Sequence, residues 1–236
     1  MIEAKYIDHM GSDLSVVNAA RVSFGKQSGW SNEGEEDWHS PFIGEVRHEM
    51  RHPDFVGKLG EADTKLIKYL ASHGHISPFG HAFASFHIKA PVFVARQLVK
   101  HKFLRWNEIS RRYVDNPPEF YTPDVWRGKP PVDKKQGSEG VVHTNADPDF
   151  VNHTALRTYN EMLADGVAPE MARMVLPQSM MTEWYWSGSL DAFAGVCRLR
   201  TSWDTQVETQ DVAWQIYHTM EELFPVSWVA LMEDHY

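Results

Sequence analysis

The stretch that most constrains this chain is QLVKHKFLRWNEISRRY, residues 97–113, where an apolar helix pattern gives way to a polar run. The whole protein has a formal net charge of -9, yet this stretch sets one acid, Glu108, against five cations, which are Lys100, Lys102, Arg105, Arg111 and Arg112. Interleaved apolar residues such as Phe103 and Trp106 predict that much of it is packed, so its polar groups have defined places. Cations at a helix end can bind phosphate, and nearby amide, hydroxyl and carboxylate groups can recognise a polar ring. The stretch predicts a nucleotide site, with a solvated charged face as the alternative.

Composition narrows the class of protein. At 236 residues and 42% hydrophobic content, the chain can bury the core of one large domain, and we expect a single domain over 1–236. The acidic balance argues against bulk nucleic acid or an anionic membrane as partner. A single cysteine, Cys197, excludes an internal disulfide and is typical of a reducing compartment. No apolar run has the length of a signal peptide core or a membrane span, so we expect a cytoplasmic protein.

Hydrophobic periodicity predicts an α+β protein with more helices than strands. Strands are predicted at 5–8, 81–88 and 182–187. Helices are predicted at 13–24, 63–72, 92–103, 154–164, 169–176, 190–201 and 205–223. Ser12 and Asp63 are the expected N-caps, Pro91 is expected at the first turn of the third helix, and Pro225 is expected to end the last one. The turn-rich stretch 25–60 and the proline-rich stretch 117–149 predict insertions or loops, the second insertion covering about 126–149.

Several separate stretches resemble the flavin-dependent thymidylate synthases, in the same order. Lys100-His101-Lys102, followed after seven residues by Ser110, resembles the Arg-His-Arg, seven residues, Ser signature of that family. Residues 107–113, NEISRRY, are similar to its Asn-Glu-x-Ser-x-Arg-Tyr. Further similar stretches are ARVSF at 20–24, HGHISPFGH at 73–81, KAPVFVARQ at 89–97, ARMVLP at 172–177 and LR at 199–200. The resemblance runs from about residue 10 to residue 224.

The resemblance implies a thymidylate synthase-complementing protein-like fold, with mixed helices around a small antiparallel or mixed sheet, in a homotetramer with shared active sites. It implies reductive methylation of dUMP to dTMP, with 5,10-methylenetetrahydrofolate as carbon donor, FAD as hydride carrier and NADPH as reductant. That route needs no enzyme nucleophile. Cys197 lies inside a helical pattern with no neighbouring histidine, which favours a buried structural thiol.

The family's site residues carry over onto matching positions of this chain. Those expected at dUMP are Gln97, Leu98, Val99, Lys100, Glu108, Ile109, Ser110, Arg111, Arg112, Arg173 and Arg200. Arg200 and Ser110 are the expected catalytic residues, Arg200 by stabilising charge on the pyrimidine and Ser110 by hydrogen bonding rather than as a nucleophile. Those expected at FAD are Ser23, His75, Ser77, Lys100, His101, Lys102, Glu108, Ser189, Asp191, Gly195 and Asp204.

The chain also departs from the family pattern. Lysines replace two signature arginines, which keeps the charge and loses the paired donors of the guanidinium. Ser189, Leu190 and Asp191 occupy a helix region that commonly offers Asn and Arg to the flavin in the family. Gly195 and Asp204 stand where Asn and His are common. These changes bear on the flavin contacts more than on the nucleotide contacts.

Three other interpretations stay open. A paralogue could install another C5 substituent, such as hydroxymethyl, or act on another pyrimidine nucleotide. A nucleic-acid-binding module would use the cations of 97–113 on phosphates and its aromatic residues on bases, but the acidic whole argues against it. A metal site among the thirteen histidines is not favoured, because their spacing is not that of a zinc motif.

Overall fold

A computed structural model of the protein describes residues 1–31, 58–114, 116–132 and 136–233. Contacts divide the chain into two compact units. Unit 1 contains Met1–Ile7, Ser85–Ser187 and Gly195–Ile216, and unit 2 contains Asp8–Ala84, Gly188–Ala194 and Tyr217–Tyr236. Among the described residues, no helix is both long and apolar enough to cross a membrane.

The elements follow the α+β pattern expected from the sequence. The strands are β1 (Glu3–Met10), β2 (Phe83–Pro91), β3 (Leu104–Glu108), β4 (Trp126–Gly128), β5 (Glu139–Val142) and β6 (Met181–Ser189). The helices are α1 (Asp13–Arg21), α2 (Glu61–Ser72), α3 (Val92–Leu98), α4 (Pro148–Ala164), α5 (Pro169–Ala172), α6 (Leu190–Arg200), α7 (Val207–Leu223) and α8 (Pro225–Met232). Four strands form a sheet in the order β1-β2-β6-β3, and β4 pairs antiparallel with β5.

Strand β2 leads the chain into the candidate site. Ala84, Phe86, Ile88 and Ala90 are buried, while the residues between them are partly exposed, as a half-buried strand requires. The strand was predicted from residue 81, but residues 77–81 form a 3₁₀ helix and β2 begins at Phe83. It ends at Pro91, which is the N-cap of α3 rather than a residue of its first turn.

The helix predicted over 92–103 is too long. Helix α3 ends at Leu98, and Phe103 adopts a left-handed backbone with φ +65° before β3 begins. Val99 and Phe103 are exposed, so the helix has no apolar face to bury beyond its second turn. A left-handed backbone is uncommon for phenylalanine and does not continue a right-handed helix, so the chain has left the helix before β3 begins at Leu104.

Two capping predictions in unit 2 have different outcomes. Ser12 is the N-cap of α1, and its N–H donates to Ser15 Oγ at 3.0 Å. Asp63 is not a cap, because α2 begins at Glu61 after Gly60. The Asp63 carboxylate is instead buried, where it pairs with Arg21 and accepts from Ser28 Oγ at 3.0 Å.

The prediction that Pro225 ends the last helix is wrong in one respect. Helix α7 does end at Leu223, but Pro225 then begins α8, since its missing N–H costs nothing at a first helical position. The carboxylate of Asp13 accepts the N–H groups of Val226 at 3.0 Å and Ser227 at 2.8 Å. These bonds satisfy donors that the start of α8 would otherwise leave unpaired.

The two predicted insertions differ in how far the structure describes them. Most of 25–60 lies outside the described residues. The stretch 117–149 was predicted as a loop, but it holds β4 and β5. Helix α4 also begins earlier than the predicted residue 154, because Asp147 caps it by accepting the Phe150 N–H at 3.0 Å.

Candidate functional site

A cleft of about 350 Å³ opens in unit 1 at the C-terminal end of β3. Three arginines and one carboxylate line it, together with mainly apolar side chains and backbone. The lining residues are Val92, Arg96, Glu108, Ile109, Arg111, Arg173, Met174, Leu176, Pro177, Gln178, Met180, Met181 and Thr182. Its size suits a small organic ligand, and its excess of positive charge suits an anionic one.

Glu108 is exposed at this cleft, and each of its carboxylate oxygens accepts a hydrogen bond. Its Oε1 accepts from Thr182 Oγ1 at 2.7 Å, and its Oε2 accepts from Trp106 Nε1 at 3.1 Å. Trp106 in turn stacks on the buried Trp184, with ring centroids 4.3 Å apart. The backbone N–H of Ile109 donates to Glu183 O at 2.9 Å, so the residue after the carboxylate is fixed as well.

Arg111 and Arg112 follow β3 in the sequence and differ in their exposure to solvent. Arg111 is buried and lines the cleft, where its Nη1 donates to the carbonyl oxygen of Asn116 and, at 3.3 Å, to Asn116 Oδ1. Arg112 is exposed, packs 5.0 Å from the centroid of the Tyr113 ring, and donates through Nε to Ser110 Oγ at 3.2 Å. An arginine cannot accept the hydroxyl proton of Ser110, so this pairing favours hydrogen bonding over nucleophilic attack.

Two arginines reach the cleft from other elements. Arg173 lies in the 3₁₀ helix after α5, and its Nε donates to Glu170 O at 3.3 Å. Arg96 lies in α3, four residues after Val92, and both line the cleft because that spacing places them on one helix face. Arg96 was not among the predicted site residues. Its signal in the sequence is its place in the KAPVFVARQ stretch, one residue before Gln97.

Arg200 belongs to a second cluster in unit 1. Its Nε donates to His101 Nε2 at 3.1 Å, and its Nη2 donates to the carbonyl oxygen of Gln97 at 3.2 Å. The side chain of Gln97 donates to Gln206 Oε1 at 2.7 Å. Of the predicted nucleotide residues, Glu108, Ile109, Arg111 and Arg173 line the cleft. The others do not, and they are Gln97, Leu98, Val99, Lys100, Ser110, Arg112 and Arg200.

His101 is kept neutral. Burial and then the charge of Arg200 lower its pKa to about 4. Because its Nε2 accepts from Arg200, the proton of the neutral ring lies on Nδ1. Burial also lowers the pKa of Arg200 from its ordinary value.

Cys197 is a buried structural thiol, as its sequence context predicts. It is fully buried, its Sγ donates to Ala213 O at 3.5 Å, and burial raises its pKa well above the ordinary range. A thiol without accessible thiolate does not attack a ring carbon. Among the described residues, no group of three or more His, Cys, Asp or Glu side chains is placed to hold a metal ion.

The other predicted nucleotide and signature residues lie around α3. Leu98 is buried at the end of that helix, whereas Val99 and Lys100 are exposed in the turn after it. Lys102 is exposed in the next turn. The two lysines are therefore accessible to an anionic ligand.

The remaining predicted flavin residues are distributed over both units. In unit 2, Ser23, His75 and Ser77 are exposed, and Ser189 is buried at the end of β6. Asp191, in the first turn of α6, has a buried Oδ1 that accepts no hydrogen bond from the part of the chain that the structure describes. In unit 1, Gly195 has open space where a Cβ would lie. Asp204 accepts from Ser202 Oγ at 2.6 Å and from Gln136 Nε2 at 3.0 Å.

An α+β fold with an arginine-lined cleft and a fixed carboxylate is typical of an enzyme that binds a phosphorylated ligand. Residues 5–226 match the model of the family described as thymidylate synthase complementing protein. The chain therefore belongs to the family of flavin-dependent thymidylate synthases.

Named relatives and solved structures agree with that assignment. The chain is 36% identical to the flavin-dependent thymidylate synthase of Thermus thermophilus, over 98% of this chain and 75% of the relative. It is 34% identical to that of Thermotoga neapolitana, over 98% and 90%. It is also similar to the crystal structure of a UMP/dUMP methylase, PolB from Streptomyces cacaoi, bound with 5-Br dUMP. The TM-score is 0.76 and the identity 28%, covering 98% of this chain and 94% of PolB.

Proposed function

We propose that the arginine-lined cleft of unit 1 binds dUMP and that Arg200 stabilises charge on its pyrimidine. The chain is a methyltransferase that converts dUMP to dTMP, with 5,10-methylenetetrahydrofolate as carbon donor, FAD as hydride carrier and NADPH as the reductant of FAD. The observation that carries the proposal is the cleft itself. It brings together Glu108, Ile109, Arg111 and Arg173, four predicted nucleotide residues from stretches more than sixty residues apart.

The cleft residues divide the work of binding by their chemistry. Arg96, Arg111 and Arg173 supply paired N–H donors that stay charged, which suits phosphate and uracil carbonyl oxygens. Glu108 is an acceptor for a ring N–H, and its two anchors keep it aimed. Ser110 is not among the cleft-lining residues but follows Ile109 directly, and its Oγ can donate its proton to a ring oxygen because its partner Arg112 is itself a donor.

The residues present fit a flavin. Lys100 and Lys102, both in unit 1, are exposed cations suited to the diphosphate of FAD. FAD, when bound, supplies the hydride that completes the methyl group. Neutral His101 holds Arg200 by accepting from its Nε, which leaves other guanidinium donors free to face a substrate. All of the flavin contacts stay predictions, as do the single domain and the cytoplasmic location.

We further propose that the protein is a homotetramer in which one copy's Arg200 cluster completes another copy's cleft. The separation of Arg200 from the cleft lining supports this arrangement, because both sets are expected to contact one nucleotide. Exposed apolar side chains near both sets, Phe103, Tyr113 and Met174, would be covered by such contacts. Light scattering on the purified protein should give the mass of four chains, and a monomer that turns over dUMP contradicts the shared site.

The reaction is tested by incubating the protein with dUMP, methylenetetrahydrofolate and NADPH and identifying the product by mass. We expect dTMP, and a product with an extra oxygen would favour the hydroxymethylating alternative. Arg200→Ala should abolish methyl transfer and leave the FAD content unchanged. Near-normal turnover by that variant would contradict the role of Arg200.

UMP is a second candidate substrate, since the similar structure PolB is a UMP/dUMP methylase. Parallel measurement of kcat/KM with UMP and with dUMP decides between them. A higher value for UMP would replace dUMP as the substrate and leave the proposed cleft in place.

A further inference from the structure

Residues 126–132 and 136–142 are here called the β4–β5 arm. None of the predicted nucleotide or flavin residues lies in this arm. Arg127 in β4 pairs with Glu208 in the first turn of α7, and its Nε donates to Ser138 Oγ at 2.9 Å. The Glu208 side chain is 3% exposed, and Tyr121 also donates to it, at 3.2 Å. Pulling the arm away would leave a buried carboxylate without its cation, so this pair fixes the arm to α7.

The arm reaches Asp204 at a second point. Gln136 Nε2 donates to Asp204 Oδ2 at 3.0 Å. Gly137 has φ +89°, and a Cβ on it would lie 3.0 Å from the backbone carbonyl oxygen of Asp204. Glycine is therefore required twice at this position, for the left-handed backbone and for the close approach. The other carboxylate oxygen of Asp204 accepts from Ser202 Oγ at 2.6 Å, so both oxygens have protein donors.

Asp204 lies in the loop 201–206, which follows Arg200 directly. At the end of this loop, Gln206 Oε1 accepts from the side chain of Gln97 at 2.7 Å. The carbonyl oxygen of Gln97 accepts from Arg200 Nη2 at 3.2 Å. Displacing the loop would therefore disturb Arg200 through its own backbone and through Gln97. A shift of about 1 Å in a substrate-positioning group is enough to change binding and rate measurably.

We infer that the β4–β5 arm holds the loop 201–206 in place through Gln136 and Gly137, and that Asp204 is a positioning residue for Arg200 rather than a flavin contact. This inference rests on the proposed function, because its tests measure the Kd for dUMP, to which Arg200 is proposed to contribute. It gives the insertion at 126–149 a role in the reaction, and it explains how an aspartate serves where the family commonly has a flavin-contacting histidine.

The first test compares two glycine variants of the arm. Gly137→Ala places a methyl group against Asp204 O, whereas Gly140→Ala, also at a left-handed position with φ +67°, meets open space. Both glycines have a positive φ, so Gly140→Ala controls for the strain of an alanine in a left-handed backbone. By calorimetry we expect Gly137→Ala to raise the Kd for dUMP roughly two- to tenfold, the net worth of about one hydrogen bond. Gly140→Ala should retain the wild-type Kd and turnover.

The number of binding sites separates positioning from damage to the fold. Partial misfolding lowers the number of dUMP sites per chain and leaves the Kd of the intact ones unchanged. Loss of positioning raises the Kd with an unchanged number of sites. A Gly137→Ala protein with wild-type Kd and wild-type kcat would overturn the inference.

A second test exchanges the hydrogen-bonding partners. Gln136→Glu sets two carboxylates against each other and should raise the Kd for dUMP by a similar factor. Combining it with Asp204→Asn restores a donor facing an acceptor and should recover most of the loss. If the double variant is no better than Gln136→Glu alone, the contact does not transmit to Arg200 and the inference fails.

The flavin content supplies an independent readout. The Asp204→Ala variant should contain as much FAD per chain as the wild-type protein and should bind dUMP with a higher Kd. Loss of FAD with an unchanged dUMP Kd would make Asp204 a flavin contact and overturn the inference. Failure of the wild-type protein to bind dUMP would instead overturn the proposed function, so the two failures are distinguishable.

Discussion

Replacing Arg127 by methionine should destabilise the protein through the buried carboxylate that it leaves behind. The Glu208 side chain is 3% exposed, its Oε1 accepts from Arg127 and Tyr121, and its Oε2 has no hydrogen-bond partner among the described residues. Removing one partner of a buried ion pair costs about 3–5 kcal/mol. Tyr121 remains bonded to Glu208 after the change, which favours the lower end of that range.

The proton sets an upper limit on this cost. Glu208 can escape burial of its charge by taking up a proton, which costs about 1.4 kcal/mol for each pH unit above its ordinary pKa of 4.5. At pH 7.5 the limit is therefore about 4 kcal/mol, and at pH 5.5 it falls to about 1.4 kcal/mol. We expect Arg127→Met to lower the unfolding free energy by about 3 kcal/mol at pH 7.5 and by about 1 kcal/mol at pH 5.5.

In the wild-type protein, acid removes the stabilisation that Glu208 provides, whereas in Arg127→Met acid reduces the cost of burying it. Burial raises the pKa of Glu208, but its bonds to Arg127 and Tyr121 lower it more, so the pKa lies below its ordinary value. The stabilisation from the ion pair is thus complete above pH 4.5 and is lost as the pH falls through the lower folded-state pKa. In Arg127→Met the pKa of Glu208 instead rises, so the variant gains stability relative to wild type as the medium becomes more acidic.

Thermal unfolding at the two pH values measures the effect. For a chain of this size, about 3 kcal/mol corresponds to a Tm decrease of roughly 6–12 °C. The double variant with Glu208→Gln, which has no charge to bury, is the control and should recover most of the loss at pH 7.5. A loss below about 1 kcal/mol at pH 7.5, or one that is equal at both pH values, would refute the reasoning.

Three further outcomes are expected. Cys197→Ala should keep the wild-type turnover per bound FAD and lose roughly 1 kcal/mol of stability, and loss of turnover would restore a thiol mechanism. Arg96→Met should raise the Kd for dUMP about tenfold, as removal of one charged hydrogen-bond donor does, while the exposed Arg105→Met, outside the cleft lining, should not change it. His101 has a pKa of about 4, so it should stay neutral in NMR titrations down to pH 5. Arg200→Ala should raise that pKa, because it removes a neighbouring positive charge. As the pH is lowered from 6.5 to 4, the contribution of His101 to the unfolding free energy should fall, because the unfolded state binds more protons there.

Local patterns in the sequence predict a large part of the fold. The alternation of residues 83–88 predicts most of β2, because one face of that strand is buried. The start of α1 at Ser12 is likewise readable from a serine before an apolar period. Proline is ambiguous, since it can end one helix and begin the next. Pro225 does both, and for that reason α8 was missed.

Features that depend on distant residues could not be predicted in this way. Asp63 is a plausible helix cap in the sequence, but its carboxylate instead pairs with Arg21, forty-two residues earlier. Strand β3 follows a left-handed phenylalanine that no periodicity reveals. In the candidate site, the predicted list contained Glu108 and Arg173, but only the fold shows that Arg96 shares their cleft and that Arg200 does not.

The solitary cysteine also has a practical consequence. Because Cys197 is buried and its thiol resists ionisation, thiol-reactive dyes should not label it in the native protein. A cysteine introduced on the exposed side of the β4–β5 arm would then carry the label alone. Fluorescence from that label could follow the arm during nucleotide binding without first removing the native thiol.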